Sequence, residues 1–136
     1  MRPRSLFGPP LLLGLCVGLL ACGLGAGDLV AIPFGIWASP DGRLDVDASG
    51  AHFRFGCAAA EIPPPLSLDG DGRFDLSGRY EFQVGPEPYR SFPARFTGRA
   101  RGRALTVEVR LQGDPRVVGP LELKLGAEPP QLHLCR

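Results

Sequence analysis

The sequence has little of what catalytic and metal sites need. Its two histidines, His52 and His133, lie in no Gly-x-Ser-x-Gly or His-Glu-x-x-His motif, and no phosphate-binding glycine loop is present. Residues 69–75 begin like a calcium-binding EF-hand loop, but Arg73 occupies the third ligand position, so we interpret them as a polar hairpin turn. The sequence therefore predicts a protein that is not an enzyme, with no cofactor and no metal site.

An excess of charge of one sign is also lacking. The chain has 15 basic and 14 acidic residues, a formal net charge of +1, and Lys124 is its only lysine. A balanced charge creates no field that would steer the chain toward nucleic acid. No aromatic residue shares the predicted strand face of Arg95, Arg99 and Arg101, where single-stranded nucleic acid would need stacking platforms. We expect no nucleic-acid partner.

A helical apolar period is missing after residue 30, and short segments with a period of two take its place. In residues 74–84 every second side chain is apolar or small while the others are polar. With Leu44 in the first strand, this pattern predicts seven to nine antiparallel strands, the last over residues 132–135. Three prolines at 63–65 mark an edge segment or an extended crossover. We predict an all-β, up-and-down meander that closes into a small barrel, with a two-sheet β-sandwich as the alternative.

The one long apolar run, residues 11–20, is shorter than the ~20 residues that a membrane-spanning helix needs. It follows Arg2 and Arg4 and precedes a small residue, an arrangement typical of an export leader. The sequence therefore predicts a signal peptide over 1–22, a flexible linker over 23–33 and a single all-β domain over 34–136.

The segment Leu19-Leu20-Ala21-Cys22 resembles the lipobox of bacterial lipoproteins, in which a peptidase cuts before the cysteine and the cysteine carries the lipid. The resemblance implies lipid attachment at Cys22, and hence an exported envelope protein anchored to a membrane that it does not span. The alternative is ordinary secretion as a soluble or periplasmic protein, with a cut near Gly25 or Ala26.

Two cysteines, Cys57 and Cys135, lie beyond the leader. In an exported protein an isolated pair is most simply a disulfide, which would remove about 4–5 kcal/mol of unfolded-chain entropy. Cys57 is in phase with Phe53 and Phe55, whereas Cys135 is out of phase with the apolar residues of its predicted strand. Either the terminus twists at its end, or Cys57 lies past the end of its strand.

Gly35-Ile36-Trp37, just before the first predicted strand, resembles the Gly-x-Trp opening of lipocalin-like barrels, in which the tryptophan plugs one end. The alternative is a plain core aromatic. Most of the domain also resembles an uncharacterised family of small exported bacterial proteins, which implies a shared fold and disulfide but brings no activity. That second resemblance rests on Trp37, residues 43–46 and 49–51, Cys57, residues 68–75, 93–99 and 105–107, and Cys135.

Two non-enzymatic functions fit these observations. In the first, the barrel binds a small apolar or amphipathic ligand, and its candidate lining or core residues are Trp37, Phe53, Phe55, Phe74, Tyr80 and Phe82. In the second, a rigid module contacts an envelope protein or an anion through its outer arginines, Arg95, Arg99 and Arg101. Those arginines could instead pair with carboxylates on neighbouring strands.

Overall fold

The structure is a computed structural model that describes residues 30–82, 86 and 89–131. Its strands are β1 (Gly35–Ser39), β2 (Gly42–Asp47), β3 (Gly50–Phe55), β4 (Ala58–Ile62), β5 (Arg73–Phe82), β6 (Arg90–Arg101), β7 (Ala104–Leu111) and β8 (Val117–Leu125). Each strand pairs antiparallel with the next, and β8 pairs with β1, so that the meander closes into a barrel. The structure confirms the predicted up-and-down barrel, and the alternative, a two-sheet β-sandwich, is not formed. The described part of the chain contains no helix long and apolar enough to cross a bilayer.

The period-two pattern of the sequence directs one face of each strand into the barrel. In β5, Phe74, Tyr80 and Phe82 are buried, while the alternate residues of the strand are exposed. β7 follows the same rule, with Leu105, Val107, Val109 and Leu111 buried. These inward side chains join one continuous apolar core, and no polar or charged residue is buried among the described residues.

Two strands differ from the sequence-based expectation. Gly35–Ser39 is itself a strand, whereas the sequence placed residues 35–37 before the first strand. β4 is rich in alanine, which has little β propensity and gave no strand signal. Its Ala60 lies between Phe53 of β3 and Tyr80 of β5 in the register, so a small side chain there leaves interior space for two aromatic rings. The prolines at 63–65 follow β4 in the connection to β5.

Residues 30–33, which we call the strap, extend the ordered body of the barrel beyond β1. The amide of Ile32 donates to the carbonyl of Leu66 at 3.0 Å, and the amide of Leu68 donates to the carbonyl of Val30 at 2.9 Å. Ile32 and Leu66 are both buried. The indole of Trp37 donates to the carbonyl of Pro33 at 3.1 Å, which joins the strap to β1.

The two ends of the barrel are distinct. The strap end contains the start of β1, the β2–β3 turn, the β4–β5 connection, the β6–β7 turn and the end of β8, because neighbouring strands are antiparallel. The distal end contains the other turns. Cys57 lies at the distal end, in the turn after β3. It is therefore past the end of its strand, which is one of the two arrangements that the sequence left open for a disulfide with Cys135. Cys22, Cys135 and the predicted strand over 132–135 lie outside the described residues, and the disulfide stays a prediction.

Candidate functional site

A chain of aromatic rings runs through the interior of the barrel. The ring of Phe53 stacks on Phe96 at 6.0 Å and on Phe55 at 5.1 Å between centroids. Tyr80 continues the chain, 6.2 Å from Phe55 and 6.1 Å from Phe82. Stacked and tilted pairs at these separations are attractive beyond the apolar area that they bury. The middle of the barrel is therefore occupied by its own side chains.

The structure brings the predicted lining residues together as one core. Trp37, Phe53, Phe74, Tyr80 and Phe82 are all buried and belong to the same apolar cluster, against which the half-buried Phe55 packs. Burial also raises the pKa of the Tyr80 hydroxyl. All six side chains therefore belong to the apolar core or pack against it.

The distal end of the aromatic chain is less enclosed. Phe92 is half-buried and stacks on Phe82 at 5.6 Å with an angle of 9° between the rings. The guanidinium of Arg116 lies 4.4 Å from the centroid of the Phe82 ring, a cation–π arrangement. Half-buried aromatic rings beside a cation form the part of the barrel best suited to contact an apolar or amphipathic molecule.

The predicted arginine face is divided between paired and unpaired side chains. Arg95 donates two hydrogen bonds to the Asp75 carboxylate, at 2.7 and 3.0 Å, and this pairing lowers the pKa of Asp75. Arg99 donates to the carbonyl of Asp71 at 3.0 Å. Arg101 has no hydrogen-bond or ion-pair partner in the described part of the chain. Arg95 is thus held by its neighbour, whereas Arg101 is available to an external anion.

Further basic side chains surround Arg101 at the strap end. The basic rim, as we call it, consists of Arg73, Arg99, Arg101, Arg103 and Lys124. Arg73 lies opposite Arg99 in the β5–β6 register, and Lys124 lies opposite Ala104 beside the β6–β7 turn. Sequence reasoning missed Arg73 and Lys124, because they come from other strands and only the strand register brings them to this rim.

Two open concavities lie on the outer face of the barrel, around His52 and Glu61. One has a volume of about 530 Å³ and extends toward Asp45 and Arg54. The other has a volume of about 420 Å³ and extends toward Arg79. The His52 Nδ1 atom is 3.6 Å from the Glu61 carboxylate, and both side chains are solvent-accessible.

The His52 Nε2 atom lies 3.0 Å from the hydroxyl of Ser49, so that glutamate, histidine and serine follow one another. A nucleophilic serine would have to give its proton to the histidine. The Ser49 hydroxyl instead donates to the carboxylate of Asp47, which also accepts the Ser49 amide. This arrangement stabilises the β2–β3 turn and holds the Ser49 proton away from His52.

The β4–β5 turn uses its carboxylates for the backbone. The Asp69 carboxylate accepts the amides of Asp71 and Arg73, each at 2.8 Å, and the amide bonds lower its pKa. Within residues 30–82, 86 and 89–131, no group of three or more histidine, cysteine or acidic side chains is arranged to hold a metal ion. The hairpin-turn interpretation of residues 69–75 agrees with this geometry.

Comparison with known proteins adds no relative. No family model, no curated protein sequence and no solved structure matches this chain. The resemblances to lipoproteins, to lipocalin-like barrels and to small exported bacterial proteins therefore stay predictions, and the functional argument depends on the barrel itself.

Proposed function

We propose that this chain is a non-enzymatic protein of the cell envelope, exported by residues 1–22 and tethered to a membrane by a lipid on Cys22. Its barrel acts as a rigid interaction module that presents the basic rim to an anionic partner. A disulfide between Cys57 and Cys135 fastens the C-terminal residues to the turn after β3. One observation leads us to propose a working surface on the outside of the barrel: its interior is filled by its own side chains.

The interior supports this choice because its largest side chains leave little exposed area. Trp37 and Phe96 are both 0 % exposed, and Phe53 between its two stacking partners is 2 % exposed. A ligand in the middle of the barrel would have to displace these rings, which close packing resists. The rim, in contrast, offers guanidinium groups that bind phosphates and carboxylates without rearrangement of the core.

A second candidate is a small apolar or amphipathic ligand at the distal end. The half-buried Phe55 and Phe92, with Arg116 above Phe82, favour it. Such a ligand would sit against the end of the barrel, outside the packed interior.

Mass spectrometry of the protein taken from its own envelope tests the proposal. The intact mass of the denatured chain should correspond to a chain that begins at Cys22, carries a lipid and is two hydrogens short of the reduced form. Under native conditions the barrel should carry no small molecule. A retained apolar molecule would favour the second candidate, and an unmodified chain cut after Cys22 would refute the tether.

Leader variants provide a matched control. Cys22→Ser should give a chain that is neither cut before residue 22 nor lipidated, because the cut and the lipid both require that cysteine. Cys16→Ser changes a cysteine of the same leader and should leave the cut and the lipid unchanged. Identical processing of the two variants, measured by intact mass, would contradict lipid attachment at Cys22.

A further inference from the structure

We propose that the strap end of the barrel lies against an anionic phospholipid surface, so that the protein contacts its membrane with the barrel as well as with its lipid. This inference rests on the proposed tether at Cys22 and names the partner of the basic rim. It follows from three features of the same end: exposed apolar side chains, the rim itself and the short chain that leads to Cys22.

The apolar side chains lie where the chain enters the barrel. Val30 is 78 % exposed and Phe34 is 67 % exposed, and Ile36 of β1 is exposed beside them. Single exposed apolar residues are ordinary on protein surfaces. Three within seven residues, at the point where the chain leaves for the membrane, form a contact for the interface between headgroups and acyl chains.

Hydrogen bonds place Arg103 of the basic rim next to Ile36, one of these apolar residues. The Gly126 amide donates to the carbonyl of Ile36 at 2.8 Å, and Arg103 donates to the carbonyl of Leu125 at 3.0 Å. Arg103 therefore lies beside the start of β1. Arginines next to exposed apolar side chains are suited to a surface that presents lipid phosphates above hydrocarbon.

The carboxylates of the nearby turns offset part of the rim's positive charge and leave Arg101 without a partner. The Asp69 carboxylate accepts the amides of Asp71 and Arg73, and Asp47 accepts the amide of Ser49. Asp69 also interacts electrostatically with Arg73 and Arg99, whereas Arg101 has no hydrogen-bond or ion-pair partner in the described residues. An anionic headgroup would find unpaired guanidinium on the side of β6 and β7.

The chain between Cys22 and the strap is short, so even a weak contact between the strap end and the membrane would be occupied. Eight peptide steps separate Cys22 from Val30, and three of the intervening residues are glycine. Eight peptide steps span at most about 29 Å, even when the chain is fully extended. The strap end is therefore held near the bilayer at an effective concentration in the millimolar range, at which even a low-affinity surface is occupied.

Fluorescence quenching in vesicles tests the orientation. The lipidated full chain, as the cell processes it, is reconstituted in brominated phosphatidylcholine vesicles with about one third phosphatidylglycerol. Phe34→Trp places a reporter at the strap end, and Tyr89→Trp places one at a distal position of similar exposure, 69 %. The buried Trp37 gives the common background. We expect at least two-fold stronger quenching at position 34 than at position 89, and equal quenching would overturn the inference.

Charge variants test the part played by the rim. Arg101→Gln with Arg103→Gln should reduce quenching at position 34 by half or more, as should pure phosphatidylcholine vesicles. Arg110→Gln, at the distal end of β7, is the control and should leave it unchanged. If quenching at position 34 is the same in the rim variant as in wild type, and the same in neutral as in anionic vesicles, anionic lipid is not the partner of the rim. If Cys22 carries a lipid and positions 34 and 89 are quenched equally, the proposed tether stands and the contact between barrel and membrane is refuted. If position 34 is quenched more strongly but Cys22 carries no lipid, the contact stands and the tether is refuted.

Discussion

At the scale of single residues, glycines on the inner face let the barrel accommodate its aromatic rings. A Cβ at Gly98 would overlap the backbone oxygen of Thr106 and lie 2.8 Å from the ring of Phe74. Gly78 is similarly close to the backbone of Glu61 and to the ring of Phe96. The two glycines thus provide the space in which inward rings from a neighbouring strand lie.

Substitution at Gly98 tests this steric argument. Gly98→Ala should lower the free energy of unfolding by about 1–3 kcal/mol, the usual cost of overpacking a dense core. Gly70→Ala is the control, since no atom lies within 4 Å of its added Cβ. Urea denaturation of both variants measures the difference. Equal stability of the two variants would mean that the strands around Gly98 separate easily.

The ion pair of Arg95 and Asp75 has a pH signature. The Arg95 hydrogen bonds lower the pKa of Asp75 from 3.8, so its folded-state pKa lies below its unfolded value. The pair's contribution to stability is then complete above pH 3.8 and is lost as the pH falls through the folded pKa. Asp75→Asn should be less stable than wild type at neutral pH, and the difference should vanish in acid. A difference in the thermal midpoint that persists in acid would contradict this cause.

At the scale of elements, the seam that closes the barrel is its shortest. β1 and β8 pair at two positions, whereas β5 and β6 pair at ten. β8 also has a register shift opposite residues Val107 and Val109. Because local opening begins where few hydrogen bonds must break, this seam is where the closed sheet should open first.

Amide hydrogen exchange checks the order of opening. The amides of Ala38, at the seam, and of Gly126, which donates to the carbonyl of Ile36, should exchange faster than those of Leu76 and Phe96 in the centre of the β5–β6 pair. Exchange followed residue by residue by nuclear magnetic resonance gives the comparison. Uniform protection of all four amides would indicate that the barrel opens only as a whole.

The elements also explain how much of the fold the sequence could predict. β5 and β7 were predictable because their large inward residues alternate with polar ones. β4 was not, because Ala60 is small for a reason that lies in Phe53 and Tyr80, far from it in sequence. β1 was missed as well, since five residues with a fully buried Trp37 and Ala38 side by side break the period of two.

At the scale of the whole molecule, the predicted disulfide links the turn after β3 to the last residues of the chain. Cys57→Ala should lower the free energy of unfolding by about 4–5 kcal/mol, as the loss of a long covalent loop requires. Cys135→Ala should have the same effect, and the double variant should add little. Additive effects of the two substitutions would mean that the two cysteines act separately. Denaturation with and without reductant is the measurement.

The basic rim belongs to this scale too, and the sequence indicated only part of it. Arg99, Arg101 and Arg103 follow one another at every second position and were visible as a local pattern. Arg73 and Lys124 come from β5 and β8 and join them only through the registers of neighbouring strands. Pairing of β5 with β6 and of β7 with β8 therefore assembles the basic rim, which no local window of the sequence contains.

The strap has a mechanical consequence. With the proposed tether at Cys22, any pull on the chain would act first on residues 30–33, whose two backbone hydrogen bonds join them to the β4–β5 connection. Those bonds can be broken one after another, from Val30 toward Pro33, before force reaches the longer ladder of β1 and β2. The strap would thus lengthen the proposed tether under load and leave the closed sheet intact.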